Sequence, residues 1–144
     1  PTHLPLLEVA EMHALVIDDS RTMRRIVSSV LARVGFTCVE AEHGEEALAK
    51  LEDMTAAGTL PAIATIDWNM PVMNGLTFVT RVRADTRWRD VTLMMVTTES
   101  EHGQIVRALA AGAHEYVLKP FTAEDMISKL SMLGLVETSA EVMA

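Results

Sequence analysis

The chain is predicted to fold as an α/β domain: a parallel five-stranded sheet with helices on both faces. Three observations predict it. Short apolar runs alternate five times with longer stretches whose apolar residues recur every three or four positions. The fourth run, VTLMMV, is almost wholly apolar, as strands buried on both faces are. Glycines then stand where the helical stretches should stop, at Gly35, Gly58 and Gly112.

The elements follow in order. MHALVI (Met12–Ile17) reads as a buried strand. In SRTMRRIVSSVLARVG the residues Met23, Ile26, Val27, Val30, Leu31 and Val34 line one helical face, which Gly35 ends. Ser20 is a plausible N-cap for that helix. FTCVEA is the second strand, and GEEALAKLEDMTAAG the second helix, with Ala47, Leu48, Leu51 and Met54 inward. AIATI is the third strand, and a helix of about ten residues runs from Leu76. Val91–Val96 forms the fourth strand, followed by a helix over SEHGQIVRALAAGA that Gly112 closes. HEYVL is a short fifth strand, and TAEDMISKLSMLG the fifth helix, with Thr122 as its N-cap. His114 and Trp88 fall in loops, and the ten methionines read as core filler. Residues 10–134 form one domain on this reading, with tails at 1–9 and 135–144.

Composition narrows the function classes. With 144 residues, 49% hydrophobic and 22% charged, the chain is globular and long enough for one sizeable core. A net charge of −8 argues against a nucleic-acid surface. Cys38 is the only cysteine, so no internal disulfide forms and a cysteine zinc site is not expected. No apolar run approaches the ~20 residues of a membrane span. PTHLPLLEVAEM lacks the basic region and apolar core of a signal peptide. A cytoplasmic location is expected.

In a parallel sheet of this kind, ligands bind beyond the carboxyl ends of the strands. Asp18 and Asp19 follow the first strand, Asp67 the third, Thr97 and Thr98 the fourth, and Lys119 the fifth. Each alone has an ordinary explanation as a cap, a turn residue or a solvated charge. Together they bring carboxylates, a hydroxyl and an ammonium to one edge. Carboxylates so placed repel one another unless a cation joins them. Oxygen-only ligands at an open edge suit magnesium rather than zinc or copper. Three carboxylates, a divalent metal and Lys119 sum to no net charge, which leaves a site able to take an anion. That is the electrostatic arrangement of phosphoryl transfer, with Asp67 the candidate nucleophile.

The segments VIDDSRTMRRIV, TIDWNMPVMNGL, MMVTTES and EYVLKPF resemble the receiver domains of bacterial two-component response regulators, in register from Met12 to Gly134. The likeness is strongest to the stand-alone chemotaxis members. It implies a flavodoxin-like (βα)5 fold with strand order 2-1-3-4-5. It also implies that Asp67 accepts a phosphoryl group from a histidine kinase or histidine phosphotransfer protein. Asp19 and Asp67 would bind Mg2+ directly, Asp18 largely through water, and Asn69 through its backbone carbonyl. Lys119 would pair with the phosphoryl oxygens. Thr97 would turn toward them and Tyr116 would swing inward. Asn69 and Glu99 would tune dephosphorylation. A cis peptide before Pro120 is part of the same likeness.

The resemblance further implies a monomer without turnover of an external substrate. Its output would be a protein surface made by the fourth helix, fifth strand and fifth helix. A flagellar motor switch is one such target. Alternatives are a receiver in a stress or developmental phosphorelay, and a binding module that works without phosphorylation. An aspartate-nucleophile phosphatase should carry a second aspartate where Asn69 stands. A flavodoxin-like cofactor binder should offer hydroxyls and glycines where Asp18 and Asp19 stand.

Overall fold

The computed structural model describes residues 11–98 and 102–136. Five strands, β1 (Met12–Ile17), β2 (Phe36–Ala41), β3 (Ile63–Asp67), β4 (Thr92–Thr98) and β5 (Glu115–Lys119), alternate with five helices. The helices are α1 (Arg21–Arg33), α2 (Gly44–Ala57), α3 (Gly75–Arg83), α4 (His102–Ala111) and α5 (Ala123–Met132). The strands form one parallel sheet in the order β2-β1-β3-β4-β5. This is the fold class and strand order expected from the sequence.

Strand alternation divides the core into two layers. Leu15, Ile17, Ala64, Ile66, Leu93 and Met95 face one way, with Leu51, Phe78 and Val82 of α2 and α3 packed on them. Ala14, Val16, Ile63, Met94 and Val96 face the other way, against Val27 and Leu31 of α1 and Met126, Ile127 and Leu130 of α5. Nearly all these side chains are fully buried, which at roughly 1.5–3 kcal/mol each is the main stabilising term. Six methionines (Met54, Met70, Met73, Met94, Met95 and Met126) are buried as filler.

Helix starts are capped by side chains. Ser20 accepts from the Met23 N–H, Asn74 from the Thr77 N–H, and Thr122 forms a reciprocal capping box with Asp125. His43 caps α2 by accepting the Glu46 N–H at its Nδ1.

Four local details differ from the reading of the sequence. Asp67 is the last residue of β3, Thr97 and Thr98 are the last of β4, and Lys119 is the last of β5, so ladder pairing runs to the lip of the sheet. α3 begins at Gly75, one residue early, because Asn74 caps it. Trp88 is buried in a single 3-10 turn (Thr86–Trp88), and its Nε1 donates to Thr55 Oγ1 at 2.9 Å. Leu135 and Val136, assigned to a tail, pack against the α1/α5 layer. The expected tail residues 1–9 and 137–144 lie outside the described residues, as does Glu99.

The end of α4 explains a glycine. Gly112 has φ +126°, in the left-handed region, and a Cβ there would overlap Arg83 Cγ. Arg83 cannot move aside cheaply, since its guanidinium donates to the carbonyls of Arg89 and Val91. Gly112→Ala is therefore expected to destabilise the fold by about 2 kcal/mol or more. Urea denaturation checks this, and a loss below about 0.5 kcal/mol would show that the turn relaxes freely.

Candidate functional site

The carboxyl ends of β1, β3, β4 and β5 meet at one edge. Register decides who meets whom: Ile17 pairs with Ile66, Asp67 with Val96, and Thr98 with Lys119. Asp18 and Asp67 therefore stand side by side one step beyond that pairing. Oxygens of Asp18, Asp19 and Asp67 lie within 4.8 Å of one another. Lys119 closes the group, its Nζ 3.1 Å from Asp18 Oδ2 and 3.4 Å from Asp67 Oδ1. Although Asp18 and Lys119 are 101 positions apart, the sheet makes them neighbours.

Burial differs among the acids. Asp18 and Asp67 are 3% and 6% exposed, whereas Asp19 is open to solvent. Asp18 is tied down: Oδ1 accepts the Ser20 N–H at 2.9 Å, and its own N–H donates to Ala41 O at 3.1 Å. Burial, and then the Asp18 carboxylate, push the Asp67 carboxyl up to about 6, although Lys119 pulls it down. Burial disfavours the Lys119 ammonium, but Asp67 and Asp18 outweigh it and hold its pKa above the ordinary lysine value.

Two tight contacts shape the loop after Asp67. The Gly75 N–H donates to Trp68 O at 3.0 Å. A Cβ on Gly75 would lie 2.8 Å from the Asp67 carbonyl, so α3 starts directly against the backbone of the candidate nucleophile. Trp68 is buried beside Asp67, while Asn69 is exposed at the rim. Val72, in the same loop, has φ +70°. The Lys119–Pro120 peptide is cis.

Thr97 is 2% exposed on β4, one position beyond the partner of Asp67. Tyr116 pairs with Met95 in the same ladder and is half-buried. Lys129 Nζ lies 4.7 Å from the centre of its ring and donates to Glu115 Oε1 at 3.1 Å. Asp18, Asp19, Asp67, Thr97 and Lys119 are thus brought to one edge, while Tyr116 stands on the neighbouring flank. His114 lies in the turn before β5, where its Nδ1 accepts the Leu93 N–H. Among the described residues the three aspartates are the one acidic or imidazole cluster with metal-binding geometry.

The donors are all oxygens, clustered, negative and partly open, which is the set a hard divalent cation prefers. Burial first, and then the Asp18 carboxylate, raise the Asp67 value, and a bound cation would offset both by favouring the ionised form. The residues fit the group that the sequence implied.

Comparison with known proteins agrees. The family model for the response regulator receiver domain matches residues 14–131. The chain belongs to the response regulator receiver family. This receiver is 45% identical over 123 residues to chemotaxis protein CheY1 of Helicobacter pylori, covering 85% of the chain and 96% of the relative. It is 46% identical to a chemotaxis CheY homolog of Campylobacter jejuni, covering 83% and 89%. Among solved structures, Vibrio cholerae chemotaxis protein CheY4 superposes with a TM-score of 0.75 at 33% identity, covering 85% of this receiver and 98% of that chain. No helix among the described residues is long and apolar enough to cross a membrane.

Sequence reasoning passed over one group near the receiver's acidic edge. Arg24 Nη1 donates to the Asp18 carbonyl at 2.8 Å, and its Nε to Glu40 Oε1 at 3.0 Å. An arginine in a helix with Arg21, Arg25 and Arg33 carries no mark of its own. Only the adjacency of β1 and β2 selects it.

Proposed function

We propose that the chain is a phosphoryl-accepting response regulator, with Asp67 as the acceptor. The observation that carries this reading is the meeting of Asp18, Asp19, Asp67 and Lys119 at one strand edge. The donor is the phosphohistidine of a sensor kinase or histidine phosphotransfer protein. An Asp67 carboxylate oxygen attacks phosphorus, the P–N bond breaks, and the electron pair leaves with the imidazole, which takes up a proton. The product is an acyl phosphate on Asp67. With its carboxyl at about 6, Asp67 is mostly ionised at neutral pH and so is a competent nucleophile.

Asp19, Asp67 and the Asn69 backbone carbonyl, with Asp18 through water, would hold magnesium, which when bound would supply positive charge toward the phosphoryl oxygens. Lys119 moves from its carboxylate partners to a phosphoryl oxygen, keeping a cation at the point where charge develops. The Thr97 hydroxyl gains a bond in the phosphorylated state only, the differential contact that a two-state shift requires. Tyr116 then turns inward, changing the surface of α4, β5 and α5. Asn69 and Glu99 set how fast water reaches the acyl phosphate. The output is protein contact and not turnover of an external substrate, and the protein acts as a cytoplasmic monomer with domain limits at 10–134.

Chemotaxis is the favoured pathway because the Helicobacter pylori and Campylobacter jejuni relatives carry chemotaxis names. A flagellar motor switch or a kinase returning phosphate fits that setting.

Intact-mass spectrometry after incubation with a small acyl-phosphate donor tests the chemistry. One phosphoryl adduct is expected, requiring magnesium and absent in Asp67→Asn. No adduct in the parent protein under any condition would sink the reading in favour of a phosphorylation-independent binding module.

A further inference from the structure

Asp19 is exposed, so where its carboxylate points depends on the backbone on either side of it. That backbone is held from α1. Arg24, with a side chain only 12% exposed, sends Nη1 to the Asp18 carbonyl, the acceptor of the peptide that leads into Asp19. Its Nε is fixed by Glu40 of β2, and Ser28 Oγ, one turn further along α1, donates to Glu40 Oε2 at 3.3 Å. The Asp18 N–H is meanwhile held by Ala41 O, the residue after Glu40. The turn carrying both aspartates is thus gripped from α1 and β2 at once. A guanidinium suits this task because its planar fork serves two acceptors in fixed directions, which an ammonium cannot do.

We propose that Arg24, oriented by Glu40, is a positioning residue of the acidic pocket that holds the Asp18–Asp19 turn in the shape able to take a divalent cation. The inference rests on the reading of that pocket as a magnesium and phosphoryl site. Arg24 does not touch the reacting atoms and is not catalytic.

Charge separates this role from a simpler one. If Arg24 acted only through its charge, removing it would strengthen cation binding, because one positive charge near the pocket is lost. If Arg24 positions the turn, removing it weakens binding. The double variant Arg24→Ala/Glu40→Ala removes one charge of each sign and isolates the positioning effect. Arg25→Ala, an exposed neighbour on the same helix, supplies the charge-only control.

Magnesium affinity would be measured by calorimetry, and amide exchange of Asp19 and Ser20 in the magnesium-free protein. The double variant is expected to bind magnesium about tenfold more weakly, as loss of groups behind metal ligands commonly does. Its Asp19 and Ser20 amides should exchange faster, and Arg24→Lys should recover only part of both effects. Arg25→Ala should leave amide exchange at the parent level and not weaken magnesium binding.

Parent-like affinity and exchange in the double variant, with only thermal stability lowered, would overturn the proposal. Should that variant not fold, Arg24→Lys decides alone, since it keeps the charge and loses the fork, and parent-like values there overturn it equally. If the parent protein takes no phosphoryl group, the functional reading falls, while magnesium-free exchange still decides whether Arg24 holds the turn.

Discussion

Lys119→Met is expected to bind magnesium more tightly than the parent and yet accept a phosphoryl group on the order of a hundredfold more slowly. The two effects have opposite signs because Lys119 does two things. At rest its ammonium is 3.1 Å from Asp18 and 3.4 Å from Asp67, neutralising charge that a metal would otherwise neutralise. Removing it takes one positive charge from beside the three carboxylates and raises the site's affinity for a divalent cation. In the proposed transfer step the same ammonium meets the phosphoryl oxygens, and no cation replaces it in the variant. Lys119 is also what holds the Asp67 carboxyl down to about 6, so its loss moves that value higher and thins the ionised nucleophile at neutral pH. Metal calorimetry paired with adduct formation against time reads both signs. Slower transfer with weaker magnesium binding would indicate a collapsed site and count against this account of Lys119.

Without divalent cations, Asp67→Asn is expected to be more stable than the parent near neutral pH by about 1–3 kcal/mol. The carboxyl titrates near 3.8 in its ordinary state and at about 6 in the folded protein. The folded state therefore holds this proton more tightly than the unfolded chain does. The stability belonging to that preference is full below about 3.8 and disappears as the pH rises through about 6. Asparagine has no such loss, so parent and variant should differ least near pH 4 and most at neutral pH. Saturating magnesium should shrink or reverse the difference, because it stabilises only the protein that retains the full ligand set. Urea denaturation at several pH values, with chelator and then with magnesium, measures each part. A parent protein more stable than Asp67→Asn at neutral pH in chelator would contradict the cost of ionising this buried carboxyl beside Asp18.

Much of the architecture was legible because it depends on residue type and spacing. Ala14 to Ile17, and Leu93 to Val96, are continuous apolar runs too short for helices, which marks strands buried on both faces. The acidic edge was legible for a related reason: a charge directly after a buried strand has few places to go. What the sequence concealed depends on long side chains and on which strands are adjacent. Trp88 reads as a loop residue until Thr55, on the neighbouring helix, offers its Nε1 a hydroxyl. Arg83 reads as one of many arginines until it spans the carbonyls of Arg89 and Val91. Arg24 and Glu40 likewise lie on elements joined by neither period nor motif. The apolar run stops at Val96, which sets Thr97 and Thr98 after the fourth strand, whereas the ladder extends through both.

The 101 positions between Asp18 and Lys119 have a consequence for the protein's birth. During synthesis, the aspartates of β1 and β3 emerge well before the lysine of β5. A nascent chain that has made its first four strands carries the acidic half of the site without the cation that balances it. On the proposed function, such a chain would lack the ammonium that meets the phosphoryl group and would accept one more slowly than the parent. The same holds for the finished protein, since β5 is an edge strand paired only with β4, and a molecule that frayed it would lose Lys119 from the site.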